Sequence, residues 1–281
     1  IEQTKELCRF NNTDAPLSIR CNTLKITTDD LLRMLCEKDA VCQKSSFCSE
    51  GIVCTKHPAL SKLDILNSVK AVMQDESSML ASHVMCPEAS DFIIDVCSAP
   101  GGKATHMAAL MQNQGTVLAN DIYEHKLKLI EDNAARLGLH NIKTNMTDAR
   151  SIGEKYEQKA DKVLADVPCS GLGVLRRKAD ARWNKSAEEI EKLPQLQYEI
   201  LESAAKAVKI NGILVYSTCT IIKRENIDVV KRFLTEHNDF VLEPIDDFLP
   251  EKLKGRGTVL QLLPHIDNTD GFFIARMKRI K

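Results

Sequence analysis

The sequence is poor in aromatic residues and almost free of net charge. Of its 281 residues one is Trp, and aromatics make up 5%. Basic and acidic side chains nearly cancel, at 38 against 39. That balance excludes a global electrostatic footprint for nucleic acid, so any such footprint has to be local. No apolar run approaches the ~20 residues of a membrane helix, and no signal peptide opens the chain. Long internal repeats and low-complexity linkers are missing too. The composition, 43% apolar and 27% charged, is that of a folded globular chain and argues against disorder and fibres. The length suits one large or two modest domains. The first residue is Ile1 rather than Met, so the chain reads as a fragment or a processed form.

Cysteine is plentiful, with ten residues at irregular spacing. The chain is too long for a disulfide-stapled miniprotein, so these read as free thiols of a reducing cytoplasm. Cys36, Cys42, Cys48 and Cys54 recur at a fixed interval, but with only His57 nearby they do not form a zinc pattern. No metal is expected. Two local basic patches stand out. One is Arg176, Arg177, Lys178 and Arg182; the other is the C-terminal tail from Glu251.

The periodicity changes once along the chain. Residues 1–87 read as a small α/β unit. It holds a strand over 17–22, a helix starting at Thr27–Asp30, and short β-prone pieces at 52–55 and 68–73. A turn follows around 87–90. Residues 88–281 then alternate strand and helix. Strand runs cover 91–97, 116–121, 162–166 and 213–216. Helical runs cover 124–137 and 186–208, the first with Leu127, Ile130, Ala134 and Leu137 on one face. This pattern predicts a mostly parallel sheet with helices on both faces. Ligands bind such sheets outside the carboxyl ends of the strands.

The residues at those ends carry the chemistry. The first strand ends in Asp95 and runs into Cys97-Ser-Ala-Pro-Gly-Gly-Lys103. Paired glycines let the backbone approach a ligand. The loop is neither a Walker A nor a GxGxxG motif, since Cys97 and Ala104 stand where a Walker A needs Gly and Ser or Thr. Asp121 ends the second strand, where an acid suits ribose hydroxyls. Asp148 follows the third and Asp166 ends the fourth. Four such acids favour a ligand with hydroxyls, an amine and a base edge over one dominated by phosphates. Cys169 follows the fourth strand and Cys219 the fifth. No His lies within ten residues of either, so activation of a thiol has to come from the fold or the substrate.

DVCSAPGGK, LANDI, TDAR, ADVPCSG, RRKADARW and YSTCT, in this order and spacing, resemble the Nop/Sun RNA (cytosine-5)-methyltransferases, in particular the bacterial Sun (RsmB-type) 16S ribosomal RNA enzymes. NNTDAPLSIRCNTLK, MQDESSMLASHVM and DGFFIARMKR extend the resemblance over essentially the whole chain. It implies a Rossmann-like S-adenosylmethionine-dependent methyltransferase sheet preceded by a small α/β RNA-binding subdomain. Cys97, Ser98, Ala99, Pro100, Gly101, Gly102 and Lys103 would form the cofactor loop. Asp121 would hold the ribose, Asp148 the adenine edge, and Asp166 would lie between the methionine moiety and the target base. Cys219 would be the nucleophile and Cys169 would assist release. Arg20, Asn22, Arg176, Arg177 and Arg182 would contact RNA, and Trp183 would either stack on a base or pack against the sheet. Sun-type proteins also carry an N-terminal domain resembling NusB, which this sequence lacks. The implied substrate is 16S ribosomal RNA and the implied state a cytoplasmic monomer. Transfer RNA or 23S ribosomal RNA, or a ribosome-assembly factor without turnover, are the alternatives.

Overall fold

The computed structural model describes residues 2–64 and 68–281. Helix α1 (Glu2–Asn11) leads into a small sheet built from β1 (Leu17–Cys21), β2 (Val41–Lys44), β3 (Gly51–Lys56) and β4 (Ala71–Met73), with α2 (Thr28–Cys36) and α3 (Leu60–Leu63) between strands. Its order is β2-β3-β1-β4 and its pairing antiparallel throughout. Helix α2 starts where the sequence places it, because the Thr27 hydroxyl accepts from Asp30 N at 3.1 Å and two acids fill the first turn. Leu31 and Leu35 of α2 pack on Ile19, Ile52 and Cys54 to form a separate small core.

The second half carries α4 (Glu76–Met85), β5 (Phe92–Asp95), α5 (Gly102–Leu110), β6 (Thr116–Asp121), α6 (Glu124–Leu137), β7 (Ile142–Met146), α7 (Ile152–Lys155), β8 (Ala160–Asp166), α8 (Ala187–Ala207), β9 (Val208–Thr218), α9 (Ile227–Glu236), β10 (Phe240–Leu242), β11 (Val259–Leu262), α10 (Pro264–Asp267) and β12 (Phe272–Arg279). Strands β5 to β9 are parallel in the order β7-β6-β5-β8-β9, and antiparallel β12 and β10 continue the sheet beyond β9. Apolar clusters cover both faces: α4, α5 and α6 pack on one, α8 and α9 on the other. The expected doubly covered α/β sheet is therefore present. The α8 helix is closed at its start by a capping box between Ser186 and Glu189.

Two features differ from the sequence reading. Cys42 and Cys54 face each other across β2 and β3 and form a disulfide, so these two are not free thiols. Also, α4 lies before residue 87, yet Met79, Leu80, Val84 and Met85 are buried in the large core.

From β5 the chain runs outward through β6 to β7, then crosses back to β8 and runs outward through β9. The direction of winding reverses between β5 and β8. Loops leaving the carboxyl ends of those two strands diverge and open a crevice.

Candidate functional site

The crevice sits where β5, β8 and β9 end. A cavity of about 320 Å³ there is lined by Asp95, Ser98, Lys103, Asp166, Cys219 and Phe272, among others. A neighbouring cavity of about 350 Å³ shares Asp166, Lys178 and Cys219 and adds Cys97, Asp121, Cys169 and Lys185. The two cavities thus meet at a thiol, a carboxylate and an ammonium group.

The loop after β5 turns tightly. Gly101 N donates to Ser98 O at 2.8 Å and Gly101 has φ +97°, a left-handed conformation that disfavours any side chain. The turn sends Lys103 across the crevice to Asp166, with Nζ 2.7 Å from Oδ2. The Ser217 hydroxyl donates to the other Asp166 oxygen at 2.7 Å. Asp95 is 1% exposed, and burial together with Asp166 pushes its carboxyl up to about 7. Among the described residues Asp95 Oδ1 and Ser98 Oγ have no hydrogen-bond partner. Burial, with the surrounding acids, pushes the Cys97 thiol well up, so it is protonated near neutrality.

Cys169 Sγ and Cys219 Sγ lie 3.2 Å apart. Either thiol can donate to the other, and this contact is the main cause that holds the Cys219 thiol below its ordinary range. The Lys103 and Lys178 ammonium groups act in the same direction, while burial and Asp166 oppose it. The same bond, aided by burial, pushes Cys169 well up. The two thiols are thus shifted in opposite directions, Cys219 down and Cys169 up.

A buried carboxylate fixes this pair. Glu225 is fully buried and accepts four bonds: from Ser170 N at 2.8 Å, Ser170 Oγ at 2.5 Å, Gln197 Nε2 at 2.9 Å and Thr220 Oγ1 at 3.3 Å. Ser170 follows Cys169 and Thr220 follows Cys219, so one side chain ties both thiol loops together. Gly173 adds a backbone clasp, since its N–H donates to Cys219 O at 3.0 Å and its carbonyl accepts from Gly271 N at 2.8 Å. The sequence reading missed Glu225, Gln197 and Gly173. Nothing in the local pattern around Glu225 marks it; only its place a few residues past Cys219 offers a signal.

The structure brings Cys97, Asp121, Asp166, Cys169, Cys219 and the 98–103 loop to the crevice. Asp121 accepts from Tyr123 N at 3.2 Å and lies 3.9 Å from Lys126 Nζ. Asp148 does not line either cavity; it accepts from Arg150 N at 2.9 Å and pairs with the Arg150 guanidinium at 2.7 Å, which lowers its carboxyl.

The expected RNA contacts are corrected. Arg20 and Asn22 are buried, at 3% and 4% exposure, and cannot face RNA. Arg20 donates to Gln74, to Gly102 O at 2.6 Å and to Thr105 Oγ1 at 2.9 Å. Asn22 donates to Val69 O and Leu137 O. They brace the small sheet against the cofactor-type loop and α6. The arginine patch is likewise engaged. Arg182 donates to Asn11 O and Asn12 Oδ1, and Arg176 to Thr13 O and Asp14 O. Arg177 reaches Pro16 O, Asp75 and Asp270. One of these bonds, to Asn11 O, satisfies a carbonyl at the C-terminal end of α1, and the others hold the segment that follows it. Lys178 and Lys185 face the crevice instead, and Trp183 is 86% exposed rather than packed on the sheet.

The comparisons with known proteins agree with this arrangement. The family described as 16S rRNA methyltransferase RsmB/F matches residues 82–278, and a ferredoxin-like domain of RsmF/B-like methyltransferases matches residues 2–60. A probable ribosomal RNA small subunit methyltransferase B of Bacillus subtilis is 37% identical over 99% of this chain. The chain spans 63% of that relative's length. The crystal structure of PH0851 superposes with a TM-score of 0.92 at 33% identity, over 99% of this chain and 63% of that one. NSun6 from Pyrococcus horikoshii, solved with SFG, gives 0.88 at 25% identity over 100% of this chain and 95% of its own. No described helix is long and apolar enough to cross a membrane. With its crevice between β5 and β8, its paired thiols and this match over both halves, the chain belongs to the RsmB/F family of 16S rRNA methyltransferases.

Proposed function

We propose that this chain methylates carbon 5 of a cytosine in small-subunit ribosomal RNA, using S-adenosylmethionine. The observation that carries the reading is the thiol pair, 3.2 Å apart, beside the Lys103–Asp166 ion pair. Small-molecule methylation needs no second thiol there. The Bacillus subtilis relative is named for small-subunit ribosomal RNA, which favours that substrate over transfer RNA and 23S ribosomal RNA, and we expect a cytoplasmic enzyme. We expect a monomer. In this reading residues 1–87 form the RNA-facing wall and 88–281 the catalytic domain, with α4 of the first packed on the sheet of the second.

The residues fit the cofactor. Asp95 Oδ1 and Ser98 Oγ are buried polar atoms without partners among the described residues, and an ammonium and a carboxylate would match them. Asp121 would take the ribose hydroxyls. Asp148 would take the adenine edge from its place beside Arg150. A relative solved with SFG, an S-adenosylmethionine analogue, supports the same ligand. When bound, S-adenosylmethionine supplies an electrophilic methyl group on a sulfonium.

The chain's own residues do the rest. Cys219, as thiolate, adds to carbon 6 of the flipped base and makes carbon 5 nucleophilic. Asp166, held by Lys103 and Ser217, hydrogen-bonds the base edge and steadies charge at nitrogen 3. Once carbon 5 carries its new substituent, its proton must leave before Cys219 can be expelled. Cys169, in contact with Cys219, is placed to assist that release.

The test is transfer of labelled methyl groups to unmodified small-subunit RNA, with nucleoside mass spectrometry. 5-Methylcytidine formed by the wild type and lost in Cys219→Ser supports the reading. Methylation at another atom, or undiminished turnover in Cys219→Ser, overturns it.

A further inference from the structure

A second cluster of chemistry-bearing side chains lies between the two units, away from the crevice. Cys48 and Glu50 come from the loop between β2 and β3. His83 comes from α4 and His106 from α5. The Cys48 thiol, a Glu50 oxygen and a His83 nitrogen all lie within 4.8 Å of one another. His83 Nε2 and His106 Nε2 each lie 2.7 Å from the same oxygen, Glu50 Oε1. The rings meet edge to face at 5.4 Å between centroids. Cys48, Glu50 and His106 are buried, at 4%, 4% and 2% exposure.

Hydrogen bonding alone does not complete this cluster. Neither ring nitrogen of His106 has a hydrogen-bond partner among the described residues. Its Nε2 lies 2.7 Å from the Glu50 oxygen, whereas its Nδ1 meets nothing. Buried polar atoms are almost always matched, so an imidazole this deep implies a further party. An imidazole nitrogen, a carboxylate and a thiol converge on one point, and the His106 imidazole meets the same carboxylate. This mixed donor set suits a tetrahedral cation. Zinc bond lengths of ~2.0–2.3 Å put neighbouring ligand atoms about 3.3–3.6 Å apart. Small side-chain shifts bring the observed spacings to that range.

We propose that Cys48, Glu50 and His83, with His106 beside them, bind a structural zinc ion. The donor set selects a borderline-soft metal: sulfur and imidazole reject calcium and magnesium, which take oxygen. A dication with one thiolate and one carboxylate is neutral, which suits a buried site. On binding, the Cys48 thiol loses its proton to solvent, and neutral imidazoles give lone pairs. The ion's fourth position falls to His106, which now meets the Glu50 oxygen, or to water. Its role is to clamp the β2–β3 loop onto α4 and α5. Helix α5 begins in the crevice loop at Gly102, so the clamp also steadies the small sheet beside the crevice. Sequence spacing hides the set because its members come from three separate segments.

The test uses the full chain with zinc(II) or cobalt(II) as the added metal. Stoichiometric zinc retained after dialysis, and a cobalt–thiolate charge-transfer band with tetrahedral d–d bands, are expected. Cys48→Ser removes the thiolate band, while Cys8→Ser and Cys219→Ser keep it. The Cys219→Ser arm separates this site from chelation by the crevice thiols. A folded wild type without the band, or a band that survives Cys48→Ser, overturns the proposal. If Cys48→Ser does not fold, His83→Ala replaces it, since His83 is partly exposed; its d–d bands must then change. The readout needs no methyl transfer, so it stands or falls independently of the proposed reaction.

Discussion

Two of the buried glutamates, Glu225 and Glu50, solve the same problem differently. Glu225 is saturated by neutral donors: a backbone N–H, two hydroxyls and an amide. Glu50 is met by two imidazoles and faces a buried thiol, and one of those imidazoles is unmatched. A saturated carboxylate is a fixed post that positions its neighbours. An unsaturated cluster is a socket. The difference shows why the Glu225 network can hold two catalytic-type thiol loops without any ligand, whereas the Glu50 cluster calls for one.

Four outcomes sharpen or break this contrast. The largest effect is expected for Glu225→Ala. It leaves several buried donors unmatched, each costing about 1–3 kcal/mol. Urea unfolding should show a loss of about 3 kcal/mol or more, independent of zinc. Next comes Gly173→Ala. Its Cβ would lie 2.3 Å from Gly271 O and 2.7 Å from Cys219 O, so the clasp must shift, at a cost of about 1–3 kcal/mol. Turnover should fall more than cofactor affinity, read by steady-state kinetics beside calorimetry. Glu50→Gln should cost the metal-free protein only about 1 kcal/mol. Its distinguishing mark is loss of the rise in melting temperature that zinc gives the wild type; a zinc-induced rise equal to wild type would break the contrast.

The fourth outcome is a pH dependence. The Asp95 carboxyl is pushed up to about 7 by burial, against ~3.9 in an unfolded chain. The folded state therefore holds more protons than the unfolded one between those values, and stability falls as pH rises through that window, levelling above 7. Asp270, also pushed up to about 7, adds in the same sense. Asp95→Asn should flatten part of the slope in melting curves between pH 5 and 8. An unchanged slope would place the shift elsewhere.

Local signals made much of the fold legible. Strands β5, β6 and β8 are short apolar runs between turns, and α6 shows its apolar face in four residues that are all buried. Thr27 caps α2 as its sequence suggests. The crevice acids and both thiols were legible because the carboxyl ends of parallel strands collect ligands. What stayed hidden depends on distant partners. Arg20 and Arg182 read as cations for phosphate, but their partners are backbone and neutral side-chain oxygens distant in sequence, which sequence does not display. Cys42 and Cys54 pair because β2 and β3 set them opposite each other, a register fact. Glu225 acts on loops separated from each other by about fifty residues. The Cys48, Glu50, His83 and His106 cluster exists only once the small sheet docks on α4 and α5.

The central claim is the unequal role of the two thiols, and one experiment tests it most directly. Cys169→Ser protein is mixed with small-subunit RNA and S-adenosylmethionine and run on a denaturing gel. The account predicts a shifted, covalent protein–RNA band that vanishes in the Cys169→Ser/Cys219→Ser double variant. A band that persists without Cys219, or one trapped by Cys219→Ser and not by Cys169→Ser, would contradict it.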